Sequence, residues 1–199
     1  MDAPRRLGSG SRDMTHGKPW QAILTFSVPL LLGNLLQQLY NTVDSIVVGN
    51  YVGKEALAAV GTSFPVMMLM LALFMGVSTG TGIMVSQYYG AKDEEGLSRT
   101  VHTALSLTVV VGLFVSIGGY LFVPTLLKWI QVPDNVYDMA RTYLQIVFLG
   151  HLASLFYNIL AGILRGLGDS VTPLIFLGIS TVLNIILDLV FVTRFDMGV

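Results

Sequence analysis

Two sets of polar side chains interrupt long apolar runs, and each set includes an aspartate. The first lies in SVPLLLGNLLQQLYNTVDSIVVG (27–49), with Asn34, Gln37, Gln38, Asn41, Asp44 and Ser45. Their spacing of i, i+3, i+4 and i+7 places them on one face of a helix. The second lies in TPLIFLGISTVLNIILDLVFV (172–192), where Thr181, Asn184 and Asp188 follow i, i+3, i+7. Asn184 is one turn from Asp188, so its amide can reach the carboxylate. An ionised side chain at the centre of a membrane helix costs roughly 2.5–3.5 kcal/mol on insertion scales. Such a carboxylate needs a partner, water or a cation. Two readings stay open for the first stripe: hydrogen bonds to neighbouring helices, or the lining of a water-filled cavity. Asp44 and Asp188 can hold a coupling ion, or sit near the outer surface and pack.

The two aspartates invite comparison in depth. Each follows a proline by 15 residues, Asp44 after Pro29 and Asp188 after Pro173. If the prolines lie at equal depth, a rise of about 1.5 Å per residue brings both carboxylates to similar heights in the outer half of the membrane. Two carboxylates close together in an apolar setting resist being ionised at once, which favours uptake of a proton. Pro29 removes a backbone hydrogen bond inside its helix and is a candidate hinge.

The elements that must position these residues are membrane helices. The chain is 53% hydrophobic and only 12% charged, against about 25% charged in soluble domains. Its mean hydropathy is +0.71. A crossing needs about 20 apolar residues, and the charges divide the chain into five such runs. They extend from about Trp20 to Val48, between Glu55 and Lys92, between Arg99 and Lys128, from about Arg141 to Leu164, and from about Thr172 to Thr193. These runs exceed the roughly 10-residue strands of membrane barrels, and lipid offers the backbone no other partners. The expected fold is therefore an all-α, polytopic transmembrane helix bundle. Residues 1–17 read as a flexible N-terminal tail, of which 1–13, native or non-native, stand outside the fold, and residues 18–199 as the helical part. The segment 92–99 (KDEEGLSR) reads as a charged loop.

Lysine and arginine in short loops orient such a bundle. With the N-terminus cytoplasmic, Arg5, Arg6, Arg12, Lys18, Lys92, Arg99 and Arg165 fall inside, and Lys54, Lys128, Arg141 and Arg194 outside. Dropping the first 13 residues leaves the two sides equal. Gly76-x-x-x-Gly80, together with Ser78, Thr79, Thr81 and Gly82, and Gly162-x-x-x-Gly166 suit close helix packing. His151 reads as a satisfied core histidine or a proton relay, and Arg141 as a snorkelling anchor. Gly166 and Gly168 can end one helix, and Asp169 or Ser170 can cap the next.

Several function classes are excluded or disfavoured. There are no cysteines, hence no disulfide, thiolate metal site or cysteine nucleophile. A net charge of −1 gives no argument for nucleic acid. Neither glycine motif is a phosphate loop, because no strand precedes it and no Gly-Lys-Ser/Thr follows. No Ser-Lys, His-Glu or paired-histidine motif lies in a segment, so an enzyme is not expected. No cofactor or metal site is expected either.

Four stretches in order resemble bacterial multidrug and toxic compound extrusion (MATE) transporters. They are PLLLGNLLQQLYNTVDSIVVGNYVGKEALAAVG (29–61), GTGIMVSQYYGAKD (80–93), LAGILRGLGDSVTPLIF (160–176) and LNIILDLVF (183–191). The resemblance implies two six-helix lobes around a central cavity, of which this chain holds the first five helices and lacks a C-terminal lobe. It implies exchange of protons or sodium for cationic or amphipathic compounds at the plasma membrane. It implies a cation site at Asp44, Asn184 and Asp188, a cavity lined by Asn34, Gln37, Gln38, Asn41 and Thr181, and bending at Pro29. The alternatives are a lipid-linked oligosaccharide flippase of the same superfamily and a truncated, non-transporting membrane polypeptide. The flippase reading is disfavoured because no basic residue lies deep in a segment.

Overall fold

The computed structural model describes residues 19–47, 49 and 53–194, apart from the side chains of 19, 21, 22, 44, 47 and 192–194. The expected tail, residues 1–17, lies outside the described residues. Five helices follow in order: α1 (Pro19–Val47), α2 (Lys54–Gly90), α3 (Glu94–Trp129), α4 (Asp134–Gly166) and α5 (Val171–Arg194). All five are long and apolar enough to cross a membrane, and no strand occurs among the described residues. The chain is a multi-pass helical membrane protein.

The helices begin earlier than the charge pattern suggests. The 92–99 stretch is not a loop: α3 starts at Glu94. Asp93 caps it, accepting from the Gly96 N–H at 2.9 Å. Glu94 and Glu95 complement the helix dipole in the first turn, and Arg99 pairs with Glu95 at 3.0 Å. Likewise α4 starts at Asp134, about two turns before Arg141. Charge marks where a helix leaves the apolar layer, whereas capping marks where it ends.

The three later connections share one device. Lys92, Gln131 and Gly168 adopt positive φ, at 57°, 53° and 85°. Each amide donates three residues back, and the next amide donates five residues back. Asp93 N–H thus reaches the Tyr88 carbonyl at 3.0 Å, Val132 reaches Leu127 at 3.1 Å, and Asp169 reaches Leu164 at 2.9 Å. These are Schellman closures, which satisfy the last carbonyls of each helix. Only the third uses glycine, the residue that adopts this conformation without steric cost.

Helix α4 is the centre of a three-helix bundle, packing along both α2 and α3, whereas α1 packs on α5 and α5 meets α4 only lightly. The α2–α4 seam brings backbones into contact. A Cβ added at Gly162 would lie 2.6 Å from the Ser78 carbonyl oxygen, and one at Gly166 would lie 2.6 Å from that of Gly82. The Ser78 hydroxyl donates across the seam to the Asn158 carbonyl at 2.5 Å. The seam on α2 is therefore Ser78-x-x-x-Gly82, not the expected Gly76-x-x-x-Gly80. A shift of two residues rotates the helix face by about 200°, and nothing lies within 4 Å of a Cβ added at Gly76 or Gly80. On α3, Gly112 admits the Leu152 side chain and Gly119 admits the Phe148 ring.

Candidate functional site

The α5 residues are set by a capped start. Asp169, 6% exposed, accepts from the Val171 and Thr172 N–H groups at 3.0 and 2.9 Å. Its other oxygen accepts from the Thr172 hydroxyl at 2.6 Å. The Tyr157 hydroxyl of α4 donates to the Pro173 carbonyl at 3.1 Å. This brace was not foreseen, because only folding brings together residues so far apart in sequence.

Within α5, the Asn184 amide donates to the Asp188 carboxylate at 3.4 Å, the pairing expected from their one-turn spacing. Both residues are half-buried. The Asn184 Oδ1 atom is itself buried and has no hydrogen-bond partner among the described residues. Thr181 is buried, and its hydroxyl donates to the Leu177 carbonyl of its own helix at 2.8 Å.

Helix α1 meets α5 where Gly33 faces Leu174 and Leu177, 3.8 Å from a Cβ built on the glycine. Asp44 follows Gly33 by 11 residues, and Asp188 follows Leu177 by 11. Eleven residues make about three full turns and rise about 16 Å. For two ideal helices running the same way, that spacing would bring positions 44 and 188 to similar heights, near the direction of the Gly33 contact. Thr181 and Asn184 fall within about 40° of that direction. The Asp44 side chain itself lies outside the described residues.

The α1 stripe straddles this seam. At about 100° per residue, Gln37 falls on the α5 side, while Asn34, Gln38 and Ser45 turn away from it. Asn34, Gln37, Gln38 and Asn41 are all exposed. Gln38, Asn41, Thr42, Ser45 and Ile46 of α1 line a shallow cleft of 390 Å³ with Leu57 of α2. The Thr42 and Ser45 hydroxyls turn back onto the Gln38 and Asn41 carbonyls, each at 2.8 Å. Pro29 lies inside α1, with helix on both sides of it.

Other expected residues stand apart. His151 is buried in the three-helix bundle rather than beside α1 and α5. The larger surface groove, 490 Å³ between α2 and α3, holds none of the α1 or α5 polar residues. No cluster of acidic and histidine side chains fit for a metal ion occurs among the described residues.

Comparison with known proteins supplies the family. The MatE family pattern matches residues 29–190, which contains both polar stripes. The chain belongs to the MatE family. It is 33% identical over 187 residues to the probable multidrug resistance protein YpnP of Bacillus subtilis, covering 94% of this chain and 42% of that protein. It is 37% identical to the probable multidrug resistance protein YoeA of the same organism, covering 84% of this chain and 36% of the relative. A solved MOP superfamily transporter from Pyrococcus furiosus superposes with a TM-score of 0.86 at 32% identity, over 92% of this chain and 40% of the other. That structure is described as having a binding pocket of reverse polarity that suggests a different function. The MatE chain thus spans about two fifths of the length of these relatives, and its fold is that of their N-terminal lobe.

Proposed function

We propose that this chain forms the N-terminal part of a cation-coupled antiporter that exports cationic or amphipathic compounds across the plasma membrane. Asp44 and Asp188 take up a proton or a sodium ion, and Asn184 orients the Asp188 carboxylate. The observation that supports this reading is the packing of Gly33 against Leu174 and Leu177, from which ideal helix geometry carried three turns onward brings positions 44 and 188 to similar heights. A cation between them offsets the repulsion of two carboxylates in a medium that screens poorly. The buried Asn184 Oδ1 is a further oxygen suited to a hard cation such as sodium.

Exchange follows if the cation and the exported compound compete. Gln37 on the α5 side, with Asn41 next to it, and the exposed Asn34 and Gln38 further round α1 offer uncharged polar groups for the exported compound. An amphipathic cation is attracted while the carboxylates are ionised, and is released when they are neutralised. Pro29 lets α1 bend below Asp44, which ties occupancy of the site to the placing of these polar groups. In this reading the N-terminus is cytoplasmic, and a C-terminal lobe closes the cavity. The multidrug resistance names of the Bacillus relatives support an exported small molecule as substrate.

The test is Asp44→Asn in the full-length protein expressed in a drug-sensitive host. Loss of resistance at unchanged membrane expression is expected. Resistance equal to the parent would remove the coupling role of Asp44.

A further inference from the structure

Two buried polar atoms of the α2–α3–α4 bundle have no hydrogen-bond partner among the described residues, Ser116 Oγ and His151 Nε2. The residues are 5% and 8% exposed, and neither belongs to the α1–α5 seam. Every other buried helical hydroxyl donates to a backbone carbonyl. Ser63, Thr108 and Thr181 each donate four residues back, at 2.7–2.8 Å, and Ser78 donates across the seam to Asn158. Ser116 makes no such bond.

The helix register places the two residues at the same level of the bundle. On α3, Gly112 faces Leu152 and Leu155, and Gly119 faces Phe148. Ser116 lies between these glycines on the same face, opposite the turn of α4 that carries His151. The imidazole is held between Phe74 and Phe148, each ring centre 5.2 Å away. A neutral imidazole that carries its proton on Nδ1 presents Nε2 as an acceptor. Leaving such a buried group unpaired is costly, because it has given up its hydration without gaining a partner. One water can satisfy two polar groups in an otherwise apolar interior.

We propose that a single internal water bridges Ser116 and His151 and pins α3 to α4 in the core of the lobe. The water donates to His151 Nε2, and its oxygen accepts from the Ser116 hydroxyl. The site is separate from the acidic pair, and stands whether or not those carboxylates couple transport.

The test uses the full-length protein, labelled with 15N-histidine, in lipid bilayers. Solid-state NMR should show magnetisation transfer from water protons to one imidazole nitrogen, at a resonance that His151→Gln removes. Ser116→Ala should weaken that transfer. Thermal unfolding of Ser116→Ala, His151→Leu and the double variant gives a second readout. The double variant should lose less in Tm than the two single losses combined, because each single change strands the other partner. If His151→Leu does not fold, His151→Gln with Ser116→Ala completes a similar comparison. Strictly additive Tm losses overturn the pairing. Coupled losses with no water transfer indicate a direct contact and overturn the bridging water.

Discussion

The α2–α3–α4 bundle and the α1–α5 pair solve opposite problems with similar residues. In the bundle, small residues let backbones touch: Gly82, Gly162 and Gly166 have no room for a Cβ without moving a carbonyl. Along α1 and α5, Gly33 leaves ordinary contact distance to two leucines. Polar side chains gather there instead, half-buried on α5 and exposed on α1. In lipid, helix association depends on van der Waals fit and interhelical hydrogen bonds, because the surroundings are as apolar as the side chains. Close contact therefore makes a frame, and the looser α1–α5 seam is where the proposed cation site lies.

The contrast can be broken at its tightest point. Gly166→Ala puts a methyl 2.6 Å from the Gly82 carbonyl oxygen and should cost about 1–3 kcal/mol, the usual range for overpacking. Thermal unfolding in detergent measures it, and a Tm unchanged from the parent would mean the seam is not rigid. The joint between the two regions comes next. Asp169→Ala removes the cap of α5 and should cost about 1–2 kcal/mol, read as a lowered Tm and faster proteolysis at the α4–α5 turn. The smallest effect belongs to the loose seam. Gly33→Ala adds a methyl at 3.8 Å from its neighbours and gains helix propensity of up to about 1 kcal/mol. It should leave Tm level or slightly raised. A fall as large as that of Gly166→Ala would erase the distinction between frame and seam.

Much of the fold was legible because its causes are local. Charges separated by long apolar runs announce the five crossings, and the Asn184–Asp188 pairing follows from helical periodicity alone. Gly168 and Asp169 could be read as a helix stop and a cap from their types, since each acts on a backbone within a few residues. The start of α3 was misread because KDEEGLSR is charged. The charge lies outside the apolar layer, but Asp93, Glu94 and Glu95 are also good initiators of a helix.

What only the tertiary structure decided concerns which faces meet. Gly76-x-x-x-Gly80 and Ser78-x-x-x-Gly82 are locally equivalent stripes on opposite sides of α2, and the sequence holds no preference between them until α4 arrives. The lodging of His151 between Phe74 and Phe148, the Tyr157 brace on Pro173 and the register of Gly33 against Leu177 belong to the same class. Sequence by itself determined which side chains share a helix face, because that depends on 3.6 residues per turn. Which face looks at which neighbour depends on contacts between distant segments, so it emerges only when the helices pack.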